Sequence, residues 1–221
     1  MNGVKISVRR LLSVHDNKAA IGIGSMIIFI AMIMVAGVSA SVMIQTMTGL
    51  EEQALKTADE VIKDISSGVR VSHVSGFYNG SKIDQLAVYV SVTTGSNPVD
   101  LSNAYVSLSD SSTQTILAYD STCFSSSVSN GLFGTINSTN ISSSEFGIMV
   151  VRDIDSSISS TTPTINKDDL VVLLVNASNC FSGIDTRTTV SGRIIPEYGM
   201  RGMIAFNTPP AFTDTIIELQ P

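Results

Sequence analysis

A stretch of 32 residues, Ala19–Leu50, carries no charged side chain, and it constrains the fold of this chain more than any other feature. As an α-helix it would be ~48 Å long, at about 1.5 Å of rise per residue. The hydrocarbon core of a bilayer is about 30 Å thick, and about 20 apolar residues cross it. A helix that is apolar on every side must also be surrounded on every side. We therefore expect this helix to be covered either by lipid or by other copies of itself.

The sequence after Leu50 predicts that the helix continues with a different pattern. Apolar residues recur there at spacings of three and four, which indicates a single apolar face. Because no proline lies between Ser25 and Ser67, we predict one helix over Ile21–Ser67 that stops at Gly68. An extracellular binding domain held by a single-span membrane anchor, which is an alternative, needs no such extension. The residues of the amphipathic face are Leu50, Ala54, Ala58, Val61, Ile62 and Ile65.

After Val69 the hydrophobic period changes to two, which is typical of β-strands. About eight short strands separated by turns predict an antiparallel β-sandwich or barrel, Ig-like in character, so the fold class is α+β with one long N-terminal helix. Val171–Val175 does not alternate and is expected to be a central strand buried on both faces. The predicted strands lie around Leu86–Val92 and Ala104–Leu108 and at Thr115–Tyr119, Phe146–Arg152, Asp169–Asn176, Thr188–Ile195, Arg201–Asn207 and Thr213–Leu219.

Charge divides the chain into a basic N-terminus and an acidic remainder. Residues 1–19 contain four basic residues and one acidic residue, which leaves nine basic and eighteen acidic residues, a net charge of −9, in residues 20–221. Basic residues just before an apolar span favour a cytoplasmic N-terminus, which places the acidic part outside the cell. No basic patch is present to neutralise phosphates, so we expect no nucleic acid partner.

The segment Asn17–Met32 contains a Gly-Ile-Gly followed by an apolar Phe-Ile-Ala-Met run. This segment resembles the type IV pilin-like N-terminus of archaeal flagellins, also called archaellins. Weaker similarity to archaellin strands is found in Ile83–Val88, Gly95–Ser102 and Pro196–Leu219, so the resemblance covers nearly the whole chain. Bacterial type IV pilins carry a glutamate where this chain has Gly24, which favours an archaellin.

The resemblance implies a structural subunit that polymerises with other archaellins into the filament of the archaeal flagellum, or archaellum, for swimming. It also implies three parts: a cleaved leader at residues 1–19, an assembly helix at residues 20–68 and an extracellular β-sandwich domain at residues 69–221. A prepilin-type leader peptidase would cut between Ala19 and Ala20. Family members often carry glycine where this chain has Ala19. The precursor would be inserted transiently in the membrane, and the mature protein would lie at the cell surface.

The assembly helix is expected to pack against identical helices at the centre of the filament. Burial of one Leu- or Ile-sized side chain contributes ~1.5–3 kcal/mol, and small residues let helices approach closely. The alternatives are an archaeal adhesion pilin that uses the same helix, and ordinary signal cleavage near Ala40. The residues assigned to assembly are Ile21, Gly22, Ile23, Gly24, Ile27, Ile28, Phe29, Ile30, Met32 and Val35.

Four Asn-x-Ser/Thr triplets make Asn79, Asn137, Asn140 and Asn176 candidate N-glycosylation acceptors. Some such triplets arise by chance in a chain so rich in serine and threonine. The archaellin resemblance implies N-glycosylation, and we expect it at the first three positions more than at Asn176, which ends a buried strand.

The two cysteines, Cys123 and Cys180, both lie in the part expected outside the cell. An extracellular domain with an even number of cysteines is compatible with one disulfide bond. The sequence is equally compatible with two buried free thiols.

No pattern in the sequence points to catalysis, a cofactor or a metal ion. Asp153, Asp155, Asp168 and Asp169 lack the spacing of a calcium-binding loop and are interpreted as solvated loop acids. The chain has two histidines and no nucleophile elbow, phosphate loop or zinc spacing. We therefore predict that the protein is not an enzyme.

Overall fold

The computed structural model describes the backbone from Val4 to Pro221 and the side chains from Ile21 onward. It forms two compact units, of which the first ends at Ala58 and the second runs from Asp59 to Pro221. The last turns of the long helix therefore belong to the same unit as the β domain.

The long helix, α1, spans Val4–Ser66. It confirms the prediction of one continuous helix but begins before the predicted start at Ile21, because no proline or glycine interrupts residues 4–20. The helix ends at Ser66, one residue before the predicted end and just before Gly68, whose φ is not positive. A Cβ on Gly68 would lie 2.9 Å from Cβ of Met200, so glycine is needed there for close chain approach.

Eleven strands, one short helix and one 3₁₀ turn follow α1. All segments predicted as strands contain one, with ends shifted by a few residues. The strands are β1 Val69–Tyr78, β2 Ile83–Val92, β3 Val99–Asp100, β4 Tyr105–Ser109, β5 Gln114–Ser125, β6 Glu145–Arg152, β7 Thr164–Ile165, β8 Leu170–Asn176, β9 Thr189–Ile195, β10 Gly202–Asn207 and β11 Ile216–Gln220; the helix is α2 Ala177–Phe181 and the 3₁₀ turn is Ser138–Asn140.

Nine strands form one sheet in the order β10-β9-β4-β5-β6-β8-β2-β1-β11, and β3 pairs separately with β7. The pairs are antiparallel, as predicted, except that β5 and β6 run parallel. Parallel neighbours need a crossover of a dozen or more residues, and residues 126–144 provide one here. The purely antiparallel arrangement that we expected is corrected at this pair.

The two ends of the large sheet come close together. The backbone N–H of Ala205 in β10 donates to Oε1 of Gln220 in β11, with 3.0 Å between the two atoms. The N–H of Val69, at the start of β1, donates to the carbonyl of Met200 just before β10 at 3.0 Å. The domain is therefore a nearly closed barrel or sandwich, as the strand pattern predicted.

Strand β8 lies between β6 and β2 and is buried on both faces, which confirms the prediction for Val171–Val175. One face packs into the main core of the barrel. The other face, with Val172 and Leu174, packs under the crossover, where Ile136 and Ile141 cover it. The absence of alternation in this strand thus reflects a second, smaller core outside the barrel.

Candidate assembly site

The assembly residues predicted from the sequence lie on a surface of α1 that nothing in the described chain covers. Every large apolar side chain from Ile21 to Leu50 is more than half exposed. By length and composition this helix is long and apolar enough to cross a membrane, with a mean hydropathy of 2.6 in its most apolar window. An apolar surface of this size marks a site of contact with protein or lipid.

Three hydroxyl groups in the apolar part of the helix form hydrogen bonds with the helix backbone. Ser25, Thr46 and Thr48 each donate to a backbone carbonyl three or four residues earlier, at 2.9–3.0 Å. Because these donors are satisfied within the helix, they can enter apolar surroundings at little cost. These three hydroxyl groups are therefore compatible with burial of the helix among apolar groups.

Two loops hold the end of α1 within the second unit, and we call Thr93–Asn97 and Glu197–Met200 together the collar. The carbonyl of Gly68 accepts from the N–H of Thr93 at 2.9 Å. The N–H of Gly68 donates to Oγ of Ser96 at 3.1 Å. On the opposite side, Met200 N–H donates to the carbonyl of Ser67 at 2.9 Å. Both loops thus form hydrogen bonds with Ser67 and Gly68, the residues that follow the helix.

Gly199 makes this arrangement possible. Its φ of +91° is a conformation that L-residues with a side chain rarely adopt, and a Cβ there would lie 2.1 Å from the carbonyl oxygen of Ser67. Its N–H donates to Oδ1 of Asp64 on the helix at 3.3 Å. Beside it, a hydrogen bond with the Glu197 carboxylate raises the pKa of Tyr198. Both collar loops overlap segments that carry the archaellin resemblance, but the sequence did not predict that they meet at the helix end.

The structure distinguishes the four candidate glycosylation acceptors. Asn137 and Asn140 are exposed, and within the described chain the amide nitrogens of their side chains donate no hydrogen bond. Asn79 is exposed at the β1–β2 turn, where its amide nitrogen donates to the Asp84 carboxylate. Asn176 is buried, donates to the carbonyl of Ser138 at 2.8 Å and caps α2.

The disulfide considered from the sequence is absent, and both cysteines are free thiols. Cys123 lies buried in the smaller core and donates to the carbonyl of Asn140 at 3.5 Å. Cys180, in α2, donates separately to the carbonyl of Ser143 at 3.6 Å. Burial raises the pKa of Cys123, and it raises the pKa of Cys180 to about 11.

Three of the four loop aspartates converge, and one is not solvated as we predicted. One carboxylate oxygen from each of Asp153, Asp155 and Asp169 lies within 4.8 Å of the others. Asp169 is buried, and its two oxygens accept from the N–H groups of Ile154 and Asn166, at 3.2 and 3.1 Å, which offsets the cost of burying the carboxylate. Hydrogen bonds, that with Ser157 foremost, lower the pKa of Asp155. These bonds hold the loop together.

The predicted cleavage site, Ala19 and Ala20, lies outside the residues whose side chains the structure describes. An exposed apolar helix joined to a nearly closed β domain defines a class of subunit that must assemble with copies of itself or remain in a membrane.

Comparison with known proteins places the chain within this class. A family model described as archaeal-type flagellin matches residues 19–206. Flagellin B2 of Methanocaldococcus jannaschii is 38% identical over 207 residues, covering 92% of this chain and 95% of that protein. Flagellin B1 of Thermoplasma volcanium is 33% identical over the full length of both chains. The chain belongs to the archaeal flagellin family, whose members are structural subunits of the archaellum filament.

Two solved structures share the fold. The crystal structure of archaeal flagellin FlaB1 from Methanocaldococcus jannaschii, 35% identical, matches with a TM-score of 0.63 over 70% of this chain and 97% of that one. The archaeal flagellum of Methanospirillum hungatei matches with a TM-score of 0.63 over 90% of this chain and 99% of that one, at 16% identity. The second similarity extends to more of the chain but, at that identity, concerns the fold alone.

The collar predicts unequal effects of alanine at two left-handed glycines. Gly199→Ala should lower the free energy of unfolding by more than ~3 kcal/mol, because the new Cβ meets the Ser67 carbonyl. Gly80→Ala is the matched control, since Gly80 has a φ of +100° and no atom within 4 Å, and it should cost only ~1–2 kcal/mol. Urea unfolding of the detergent-solubilised chain, followed by circular dichroism, measures both. Equal losses would contradict the role assigned to the collar.

The free thiols predict the pattern of alkylation. At pH 8 a thiol with a pKa of about 11 is ionised roughly 100-fold less than one with the ordinary value of 9.0. Iodoacetamide should therefore modify Cys180 much more slowly in the native chain than in the unfolded chain. After unfolding without a reductant, both cysteines should react, as peptide mass spectrometry would show. An unfolded chain that takes up label only after reduction would instead contain the disulfide.

Proposed function

We propose that this archaellin enters the filament by a two-stage route that begins in the membrane. The apolar part of α1 holds the precursor in the bilayer, with the basic leader on the cytoplasmic side. A prepilin-type peptidase removes residues 1–19 by cutting between Ala19 and Ala20. The mature helix, residues 20–68, then passes from lipid to the centre of a helical polymer, and residues 69–221 form the outer part of the filament.

The observation that carries this proposal is the exposure of the apolar side chains from Ile21 to Leu50. Lipid and a bundle of identical helices are the two environments that satisfy such a surface, and the proposed route uses them in turn. Cleavage before Ala20 fits this scheme because it removes the four basic residues that precede the apolar run and leaves that run intact. With the leader gone, the positive charge that favours retention at the cytoplasmic face is gone as well.

We propose further that Asn79, Asn137 and Asn140 carry N-linked glycans and that Asn176 does not. An acceptor amide must reach the active site of an enzyme, which favours the exposed side chains of the first three. Asn176 is buried and bonded at both ends of its amide, so a glycan there would displace Ser138 and uncap α2. Asn137 and Asn140 lie together at the crossover, on the side of the smaller core that faces solvent.

One peptide map of the protein from purified filaments tests this route. The N-terminal peptide should begin at Ala20, and glycan masses should appear on Asn79, Asn137 and Asn140. The peptide containing Asn176 is the internal control, because it has the same acceptor motif and should be unmodified.

Other results of the same map would support a different protein. An N-terminus at Met1 would indicate a permanent membrane anchor, and one near Ser41 would indicate ordinary secretion. The bare polypeptide mass would contradict glycosylation without affecting the cleavage proposal. Absence of the protein from filaments, together with a swimming but non-adherent deletion strain, would favour an adhesion pilin.

A further inference from the structure

One outer face of the β domain is apolar and uncovered, and we call it the bare face. It is formed by neighbouring strands β10, β9, β4 and β5. Cross-strand pairing places Met203 beside Arg193, Arg193 beside Ser107 and Ser107 beside Ile116, in one row across the sheet. Pairing in the adjacent row joins Ile195 to Tyr105 and Tyr105 to Ala118. These seven residues define the bare face.

The large apolar side chains of the bare face are strongly exposed. Met203 is 68% exposed, Ile116 61% and Tyr105 51%. They are the outward members of strands whose alternate residues fill the main core, such as Ile204 and Leu117. Neither fold stability nor an intrachain contact therefore accounts for their apolar character.

Other outer regions of the same sheet are treated differently. On β8 and β6, outward apolar residues such as Val172 and Met149 are covered by the crossover, residues 126–144. On β1 the exposed outward residues Arg70 and Ser72 are polar, and both hydrogen-bond to the half-buried Ser91 of β2. The bare face is neither covered by another segment nor lined mainly by polar side chains. Its four strands together are ~15–20 Å wide at about 4.8 Å per strand.

The composition of the bare face is that of an interface core. Such cores are enriched in tyrosine, methionine and arginine and depleted of lysine, aspartate and glutamate. The face contains Tyr105, Met203 and Arg193, and none of its seven residues is a lysine or an acid. The four candidate glycosylation acceptors also lie on other parts of the domain. Trp, Tyr and Arg are the residues that most often dominate binding energy.

Charge indicates which kind of surface this face meets. Within the described residues the one salt bridge joins Lys82 to Asp185, so Arg193 has no acidic partner. Two bare faces in contact would bring two arginines together near the symmetry axis, which is unfavourable. Residues 69–221 carry thirteen acidic and seven basic residues, so a different surface of the β domain of another copy can supply acids. Such a head-to-tail contact does not close a dimer, and it propagates into an open polymer when its rotation does not close a ring.

We propose that the bare face binds an acidic surface of the β domain of a second copy of this chain, and that this contact joins neighbouring subunits along the filament. The inference rests on the proposed function, in which the β domains form the outer part of a polymer. The helices bring the subunits together, and the bare face adds a directional contact between their β domains.

Charge variants of the full chain, expressed in cells that lack the native copy, test the contact. Arg193→Glu should reduce filament mass per cell by about tenfold or more, and Arg193→Lys should retain most of it. Arg70→Glu is the matched control, since Arg70 is also an exposed arginine on an outer strand face. Thermal melting of each variant in detergent should be unchanged, because residue 193 is exposed. Equal filament mass for the variants at residues 193 and 70 would overturn the proposal.

Methionine oxidation provides a second test that needs no mutation. Peroxide should oxidise Met203 about tenfold more slowly in wild-type filaments than in the detergent-solubilised mature chain, whereas buried Met149 should be slow in both. The same rate for Met203 in both samples would also overturn the bare-face contact. Absence of the wild-type chain from purified filaments would be a separate result, because it would contradict the proposed function itself.

Discussion

The rest of the structure depends on the uncovered apolar surface of α1 between Ile21 and Leu50. Burial of each large side chain contributes ~1.5–3 kcal/mol, and this stretch presents many of them without one charged residue. The free energy available from covering the helix therefore exceeds what any contact of the polar β domain can supply. That imbalance favours covering the helix with copies of itself in the filament.

The β domain contributes direction and attachment to this assembly. The collar bonds the end of the helix to two loops, with Gly199 fitted against the carbonyl of Ser67. The nearly closed sheet then gives each subunit several distinct outer regions: a polar one, one covered by the crossover, and the bare face with Arg193. Different surfaces on one subunit are what a polymer of repeating head-to-tail contacts requires.

Features that depend on local pattern could be predicted from the sequence. The charge-free stretch predicted the helix, and the hydrophobic pattern located eight of the eleven strands but not β1, β3 or β7. The unbroken apolar run Val171–Val175 predicted a strand buried on both faces. In each case the signal lies in residues that are neighbours in the chain.

Features that depend on contacts between distant residues could not. The parallel pairing of β5 and β6 follows from the path of the crossover, and the collar joins residues more than 100 positions apart. Asp169 is buried where the N–H groups of Ile154 and Asn166 donate to its carboxylate. Its charge alone predicts an exposed side chain. The exposure of Met203 and Ile116 could not be predicted either, because apolar residues in a strand are normally expected to face the core.

The central claim is that copies of the helix bury one another in the filament. Peroxide oxidation of intact filaments, read out by peptide mass spectrometry against the chain unfolded in denaturant, tests it directly. The account predicts that the five helix methionines are at least about tenfold protected, as buried Met149 is. Oxidation of these methionines in the filament at the rate of the unfolded chain would contradict it. The five are Met26, Met32, Met34, Met43 and Met47.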